Sequence, residues 1–324
     1  MILLSNRDKI GWVIPRRLPY ATVMASTRLR VYDVMRYLRQ EGIRTEFYNP
    51  LSSYRVVIFQ KAFERKMIPF AQSLKRKGVR IIFDINVNYI DDDAQFVTPT
   101  QKRDIYEMLR LADHVITPSP FLRDLYARFH GDVRVIEEII EDRFFQIRKE
   151  HRYSDGVTLL LCGYAVKSEE LREIRDILQA LYKKHRIKLL LICEKKPHID
   201  IIPYEFIRYD HHRLPRLLLR GDIKISPRDM SRKYNWGHAF TRIGYPMSAG
   251  LPVVASPVPS YRGSPALLCD SMDCWRNTLE ELVTDPQKRE LLSRRGCDYV
   301  RRNFTRAIII PKYIELLKTA GAQV

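Results

Sequence analysis

The sequence predicts an α/β protein of two domains, each a parallel sheet built from Rossmann-like βαβ units. The chain has 324 residues, and at roughly 100–200 residues per domain this length suggests two domains. Apolar residues make up 45% of the chain, which is enough to build a core in each domain. Strands that are apolar along their whole length alternate with helical stretches, a pattern typical of parallel sheets covered on both faces.

The N-terminal half contains four predicted strands separated by helices. The strands are 54–60, 79–85, 113–119 and 133–140, and the helices are 63–78, 101–112 and 120–131. The polar stretch around 145–156 has no hydrophobic periodicity. We therefore place the domain boundary there and assign residues 1–150 to the N-terminal domain.

The βα pattern restarts in the C-terminal half. The predicted strands are 157–164, 187–193, 206–208, 222–227, 252–256 and 266–269, and the predicted helices are 168–185, 214–221, 240–249, 272–285, 286–304 and 305–321. We assign residues 151–304 to the second domain and expect the helix within 305–324 to pack back on the first. Gly250 should end the preceding helix in a left-handed cap, and Pro252 should begin the next strand.

The composition predicts a reduced, cytoplasmic protein without disulfides or zinc. The five cysteines are odd in number and scattered, with no CxxC pair and no His-Cys cluster. No apolar run approaches the about 20 residues that cross a bilayer. The first ten residues lack the basic region of a secretory signal.

The net charge of +18 predicts anionic partners. The excess of Lys and Arg is spread over both halves of the chain rather than confined to a tail. Such a field favours nucleotide phosphates, anionic lipid headgroups at the inner membrane face, or nucleic acid. A basic surface with no specific anion is the alternative.

Several segments, in their order and spacing, carry a family resemblance along nearly the whole chain. They are "ASTRLRVYDVMRYLRQEGIRTEFYNP", "VVIFQKAFERKMIPFAQSLKRKGVRIIFDINVNY", "ADHVITPSPFLRDLY", "LPRLLLRGDIKISP", "SAGLPVVASPVPSY" and "VTDPQKRELLSRRGCDYVRRNFT". Together they resemble the GT-B glycosyltransferases. The nearest branch is the large retaining group that uses nucleotide sugars, which includes the glycogen synthase-like enzymes and glycosyl transferases group 1.

This resemblance implies two Rossmann-like domains facing each other across a cleft, with the acceptor side on residues 1–150 and the nucleotide-sugar site on residues 151–304. It implies transfer of a sugar from a UDP-, GDP- or dTDP-linked donor to an acceptor hydroxyl in glycan, polysaccharide or glycolipid synthesis. The acceptor would be a saccharide or a lipid-linked saccharide, and the nucleotide sugar is a co-substrate rather than a cofactor.

The chain departs from this group at two places. Two glutamates that the group carries eight residues apart are replaced here by Gly237 and Tyr245, and no histidine follows strand 79–85. Two alternatives therefore stay open. The first is glycosyl transfer to a modified base in DNA or RNA, and the second is a non-catalytic homologue that binds nucleotide sugars.

Positive charge is predicted at the donor diphosphate. Breaking the bond between an anomeric carbon and a diphosphate places negative charge on the leaving group, which Arg, Lys, a helix N-terminus or a metal can stabilise. Lys167 follows strand 157–164, and Arg242 lies at the start of the helix before Gly250, so both are predicted phosphate ligands. Lys167 also matches a lysine that the family uses on the diphosphate. The alternative for both Lys167 and Arg242 is an exposed side chain at the protein surface rather than a phosphate ligand.

Metal-independent transfer is expected, because no Asp-x-Asp motif lies beside a strand and the acidic run 91–93 is typical of a solvated loop.

In the N-terminal half, Ser26 or Thr27 is predicted to cap a helix that begins near Arg28. The resemblance implies that Arg28 points at the diphosphate.

The loop "NWGHAF" at 235–240 is predicted to contact the sugar. Gly237 lets the backbone approach a ligand closely. His238 could contact a sugar hydroxyl or a phosphate as a catalytic residue, with a structural histidine as the alternative. Trp236 could stack on a sugar face, with a core tryptophan as the alternative.

Asp84 is the carboxylate best placed to act on the acceptor hydroxyl, because it ends strand 79–85. The alternative role of the Asp84 side chain is to cap a helix or to be the buried partner of another side chain. Asn86 and Asn88 are weaker candidates for acceptor binding. Arg16 and Arg17 are candidates for acceptor or surface contacts.

Overall fold

A computed structural model describes residues 9–20, 24–91, 96–153 and 156–324. The chain divides into two compact units. Unit 1 comprises Met1–Ile139, Trp236–Ala239 and Arg306–Val324, and unit 2 comprises Ile140–Asn235 and Phe240–Thr305. Two segments from the C-terminal half of the chain therefore belong to unit 1. The sequence-based boundary at residue 150 stays a prediction.

Unit 1 is built on a six-stranded parallel sheet. Its strands are β1 (Lys9–Val13), β2 (Thr45–Phe47), β3 (Tyr54–Gln60), β4 (Arg80–Asp84), β5 (His114–Thr117) and β6 (Val133–Val135). Helix α1 joins three consecutive pieces, Ala25–Thr27, a π-helical turn Arg28–Tyr32 and Asp33–Gln40; the others are α2 (Met67–Arg76), α3 (Pro99–Leu111) and α4 (Pro120–Ala127). The strand order is β2-β1-β3-β4-β5-β6.

Unit 2 contains a second six-stranded parallel sheet. Its strands are β7 (Thr158–Cys162), β8 (Lys188–Cys193), β9 (Tyr204–Arg208), β10 (Ile223–Ser226), β11 (Val253–Ala255) and β12 (Leu267–Leu268). Its helices are α5 (Arg175–His185), α6 (Leu214–Leu218), α7 (Lys233–Trp236), α8 (Thr241–Ser248), α9 (Met272–Thr284) and α10 (Pro286–Asn303), followed by α11 (Arg306–Thr319), which lies in unit 1. The strand order is β12-β11-β10-β7-β8-β9.

Helices cover both faces of the unit 1 sheet. Successive side chains of a strand point to opposite faces, so an apolar strand places side chains in a core on each face. Val56 and Ile58 of β3 face a core that contains α1 and α11. Val57 and Phe59 face a second core that contains α2 and α3. Unit 2 repeats this arrangement, with Leu160 packed towards α8 and its chain neighbours packed towards α5 and α9. The predicted fold class is therefore confirmed.

The observed elements differ from the predicted ones in several places. The hydrophobic pattern predicts no strand at β1, because Lys9 and Gly11 interrupt the apolar run there. The strand predicted at 133–140 ends at Val135. The helix predicted from residue 168 starts as a 3-10 segment, Ala165–Ile174, and becomes α-helical only at Arg175, because the backbone at Ile174 (φ −123°, ψ 24°) leaves the helical region.

The turn after α8 has the predicted left-handed glycine. Gly250 has φ +87°, and its N–H donates to the carbonyl of Met247 at 3.0 Å. A Cβ atom at this position would lie 2.5 Å from Cγ of Arg148 and 2.9 Å from Oγ of Ser293. Both the backbone conformation and the packing therefore require glycine here.

None of the helices in the described ranges is long and apolar enough to cross a membrane. All five cysteines are free thiols.

A buried ion pair crosses the core of unit 1. The Nε of Arg30, in the π-helical turn, donates to both carboxylate oxygens of Asp84 at 2.7 and 2.9 Å. Its Nη1 donates to the carbonyl of Ile136 at 2.8 Å. Both side chains are fully buried. Burial raises the pKa of Asp84 to about 6, although the charge of Arg30 acts in the opposite direction. The pair thus joins α1, β4 and the segment after β6.

We expect Asp84→Asn to lower the free energy of unfolding by about 3–5 kcal/mol, because it leaves Arg30 buried without its counter-charge. Urea denaturation measures this change. The control is Glu107→Gln, which removes one carboxylate from an exposed pair with Arg65 and should cost less than about 1 kcal/mol. Replacing both partners, with Arg30→Met and Asp84→Leu, should recover most of the loss. If Asp84→Asn and Glu107→Gln lowered the free energy of unfolding by the same amount, this account would be contradicted.

Candidate functional site

The carboxyl ends of β7 and β10 bring several cations together in unit 2. These two strands are adjacent and parallel, with Ile223 paired to Leu159, so their carboxyl ends lie at the same edge of the sheet. Lys167 lies in the 3-10 segment after β7, and Arg228 follows β10 by two residues. Arg242 lies in the first turn of α8. We call Lys167, Arg228, Arg232 and Arg242 the cation cluster.

The charges of the cation cluster act on one another. The pKa of Lys167 is lowered to about 7, first by burial and then by the charges of Arg228, Arg242 and Arg232. The pKa of Arg228 is lowered to about 10 by burial and by Arg242. The structure thus brings the two predicted phosphate ligands, Lys167 and Arg242, to one place.

Glu170 is the carboxylate that contacts the cation cluster. Its Oε1 accepts from the Nζ of Lys167 at 3.1 Å, and the same carboxylate is paired with the guanidinium of Arg228. Among the described residues, neither Arg242 nor Arg232 has a carboxylate partner. Positive charge is therefore in excess here, which suits the site to an anion of more than one charge.

A further cation lies beneath the cluster in the sheet. Lys224, in the middle of β10, is only 2% exposed, and its Nζ donates to the carbonyl of Ile225 at 2.9 Å. Burial lowers the pKa of Lys224 to about 8, and the charge of Arg242 acts in the same direction. Its apolar neighbours include Cys162, whose thiol pKa is raised by burial to about 11.

Four residues of this site, Arg228, Arg232, Glu170 and Lys224, are not among those predicted from the sequence. The stretch "DIKISPRDMSR" contained a usable signal for two of them. A lysine inside an apolar strand and an arginine just after it both lie at or near a predicted carboxyl end. Glu170 gave no comparable signal, since it was placed in the first turn of a predicted helix where acidic residues are common.

Asp84, Asn86 and Asn88 lie at or just after the carboxyl end of β4 in unit 1, and all three are buried. Asp84 is held by Arg30, which favours the buried-partner alternative over a catalytic role. The Nδ2 of Asn86 donates to Oε1 of Glu138 at 3.4 Å. The acceptor roles proposed for the two asparagines stay predictions.

Asn88 also contacts the acidic run at 91–93. Its Nδ2 donates to Oδ2 of Asp91 at 2.6 Å. Asp92 and Asp93 lie outside the described residues, so the predicted solvated loop is described only at its first residue. Within the described ranges, no group of three or more His, Cys, Asp or Glu side chains is arranged to hold a metal ion.

The segment Trp236–Ala239 belongs to unit 1. The Trp236 ring contacts Phe121 edge to face, with centroids 5.9 Å apart. A Cβ atom at Gly237 would lie 2.9 Å from Cβ of Asn88 and 3.0 Å from its backbone nitrogen. Gly237 is therefore required for close packing on Asn88, whereas Trp236 is half-buried and its stacking role stays a prediction. His238 is 5% exposed, and its catalytic role stays a prediction.

The loop after β1 carries the remaining predicted residues. Arg28 is buried, and its guanidinium carbon lies 5.8 Å from the centroid of the Tyr20 ring. The predicted cap at Ser26 or Thr27 is wrong, because α1 already begins at Ala25 and the hydroxyl of Thr27 donates to Gln60 at 3.2 Å. Arg16 is exposed, and its acceptor contact is untested.

No protein family model and no curated protein matches the sequence. The fold, in contrast, matches many solved structures. Sucrose-phosphate synthase from Thermosynechococcus elongatus aligns with a TM-score of 0.70 at 14% identity, covering 98% of this chain and 100% of that one. A glycosyltransferase from Rickettsia africae aligns with a TM-score of 0.68 at 12% identity, covering 99% and 100%.

A third match is HepE from Anabaena, solved in complex with UDP. It aligns with a TM-score of 0.68 at 13% identity, covering 96% of this chain and 100% of that one. At such low identity the shared property is the architecture, which extends over the full length of all three structures. The chain therefore has the GT-B fold of the glycosyltransferases, as its sequence predicted.

Proposed function

We propose that the chain is a glycosyltransferase that moves a sugar from a nucleotide-sugar donor to an acceptor hydroxyl. The observation that carries this proposal is the cation cluster, in which four basic residues from different segments lie close together and only two of them, Lys167 and Arg228, are paired with a carboxylate. The structural match to a glycosyltransferase solved with UDP supports a nucleoside diphosphate as the anion.

The proposed reaction breaks the bond between the anomeric carbon of the sugar and a diphosphate oxygen. Negative charge then accumulates on the departing diphosphate. Lys167, Arg228 and Arg242 can donate hydrogen bonds to its oxygens, and a partly buried site strengthens these interactions relative to water. Charge-assisted bonds from arginine also orient the phosphates, because the guanidinium is planar and presents two parallel donors.

We propose that this positive charge makes transfer independent of a divalent metal. Asp84 and His238 remain our candidates for the residues that handle the proton of the acceptor hydroxyl. Asp84 is fully buried against Arg30, so it can reach an acceptor hydroxyl only if this pair opens. We therefore expect Asp84 variants to lose stability before they reveal any effect on chemistry.

Turnover is tested by incubating the protein with UDP-, GDP- and dTDP-sugars and pooled saccharide acceptors in the presence of EDTA. We expect release of one nucleoside diphosphate, at a rate that EDTA does not change. Tight binding of a nucleotide sugar with no release across the acceptor pools would favour the non-catalytic homologue. A loss of activity in EDTA that Mg²⁺ restores would overturn the metal-independent mechanism.

We expect Arg228→Gln and Arg242→Gln each to weaken UDP binding by roughly tenfold to a hundredfold, since a hydrogen bond to a charged group contributes about 1.5–3 kcal/mol. Isothermal titration calorimetry measures the affinity. The matched control is Arg216→Gln, which removes an exposed arginine from α6 of the same unit and should leave the affinity unchanged. Wild-type affinity in both cluster variants would rule out the proposed diphosphate site.

UDP affinity should fall as the pH rises above 7. The free protein holds Lys167 with a pKa of about 7, whereas a bound diphosphate favours the charged ammonium, so binding above pH 7 requires uptake of a proton. The affinity should drop by up to about tenfold per pH unit. Below pH 7 the lysine is already charged and this dependence should fade.

Calorimetry at several pH values, in buffers of different ionisation enthalpy, counts the protons taken up. Lys167→Arg keeps its charge throughout this range and should flatten the dependence. The matched control is Lys183→Arg, at an exposed lysine on α5, which should behave as wild type. An unchanged slope in Lys167→Arg would show that another group takes up the proton.

A further inference from the structure

A cavity of about 310 Å³ lies wholly within unit 1. It is formed where β1 and β2 end and where α2 begins, so its walls come from the carboxyl edge of the sheet. In open parallel sheets this edge is where ligands bind. The lining residues that matter for its chemistry are Trp12, Arg17, Tyr48, Lys66, Met67 and Phe70.

Aromatic side chains form the apolar part of this cavity. Tyr48 and Phe70 are half-buried, and their rings meet edge to face with centroids 4.9 Å apart. Trp12 is fully buried in the core that contains α1 and α11, and its indole N–H donates to the hydroxyl of Thr45 at 2.6 Å. The half-buried rings of Tyr48 and Phe70 offer rigid apolar faces on which the C–H face of a sugar ring can pack.

Two cations flank the aromatic side chains. The Nη2 of Arg17 donates to the carbonyl of Tyr48 at 2.8 Å, and its guanidinium carbon lies 4.9 Å from the centroid of the Phe47 ring. Lys66 lies at the N-terminal end of α2. Both side chains are exposed. In the described part of the chain neither has a carboxylate partner, so both charges are available to an anion.

We propose that this cavity binds the acceptor, and that the acceptor is a saccharide carrying an anionic group, either phosphate or carboxylate. The aromatic side chains take the sugar ring, while Arg17 and Lys66 hold the anion. The volume is at the lower end of the range for small-molecule sites, which suits one sugar ring and its charged substituent. The proposal rests on the proposed function, because it names the substrate class of the same reaction.

The test is calorimetric titration with glucose 6-phosphate, glucuronate and glucose, each in the presence of saturating UDP. UDP occupies the cation cluster of unit 2 and prevents the anionic sugars from binding there. We expect the wild-type protein to bind the better of the two charged sugars at least about tenfold more tightly than glucose. A preference for glucose 6-phosphate assigns phosphate as the anion, and a preference for glucuronate assigns carboxylate.

The variant is the double replacement Arg17→Gln and Lys66→Gln, which should abolish the preference for the charged sugar. The matched control is Lys77→Gln, an exposed lysine at the opposite end of α2, which should keep it. Equal affinity for all three sugars, no binding of any of them, or wild-type preference in the double variant would overturn the proposal.

UDP affinity, measured on the same proteins, separates the two hypotheses. If the double variant loses charged-sugar binding while its UDP affinity is unchanged, the variant is correctly folded and the result supports the proposal that the cavity binds the acceptor. If wild type binds UDP but no charged sugar, the cavity proposal fails and the proposed function stands. If wild type does not bind UDP, the proposed function itself fails.

Discussion

The constraint on which the unit 2 site depends is the repulsion between basic side chains held together at the edge of a sheet. Arg228 and Arg242 make it harder for Lys167 to carry a charge, Arg242 does the same to Arg228, and Glu170 compensates only part of this. A multivalent anion removes the repulsion when it enters. The free energy stored by folding these charges together is therefore available for binding, which is what a site for a departing diphosphate requires.

Parallel strand order makes this concentration of charge possible. β7 and β10 are separated by about 60 residues of sequence, yet they pair directly at the middle of their sheet. Residues that follow two distant strands thus meet without any local signal that they belong together. The same rule gathers Asp84, Asn86 and Asn88 at the end of one strand of unit 1, but there the side chains are buried and each makes a hydrogen bond to an internal partner.

Most of the architecture could be predicted, because continuous apolar strands between helices admit few alternatives. β1 escaped detection since a lysine and a glycine dilute its hydrophobicity. Lys167 and Arg242 were identifiable from their places after a strand and at the start of a helix. Asp84 shows the limit of such reasoning: a carboxylate at a strand end is equally compatible with chemistry and with a buried ion pair. The decisive partner, Arg30, is 54 residues away and only the tertiary structure reveals it.

The return of the chain to unit 1 has a consequence for biosynthesis. Ile309, Tyr313 and Leu316 of α11 fill the same core as β1 and α1, although they are translated only after the whole of unit 2. A nascent chain therefore exposes this apolar surface until α11 has left the ribosome. Unit 1 begins first and is completed last, and early termination within α10 would release a protein whose first half has an open core.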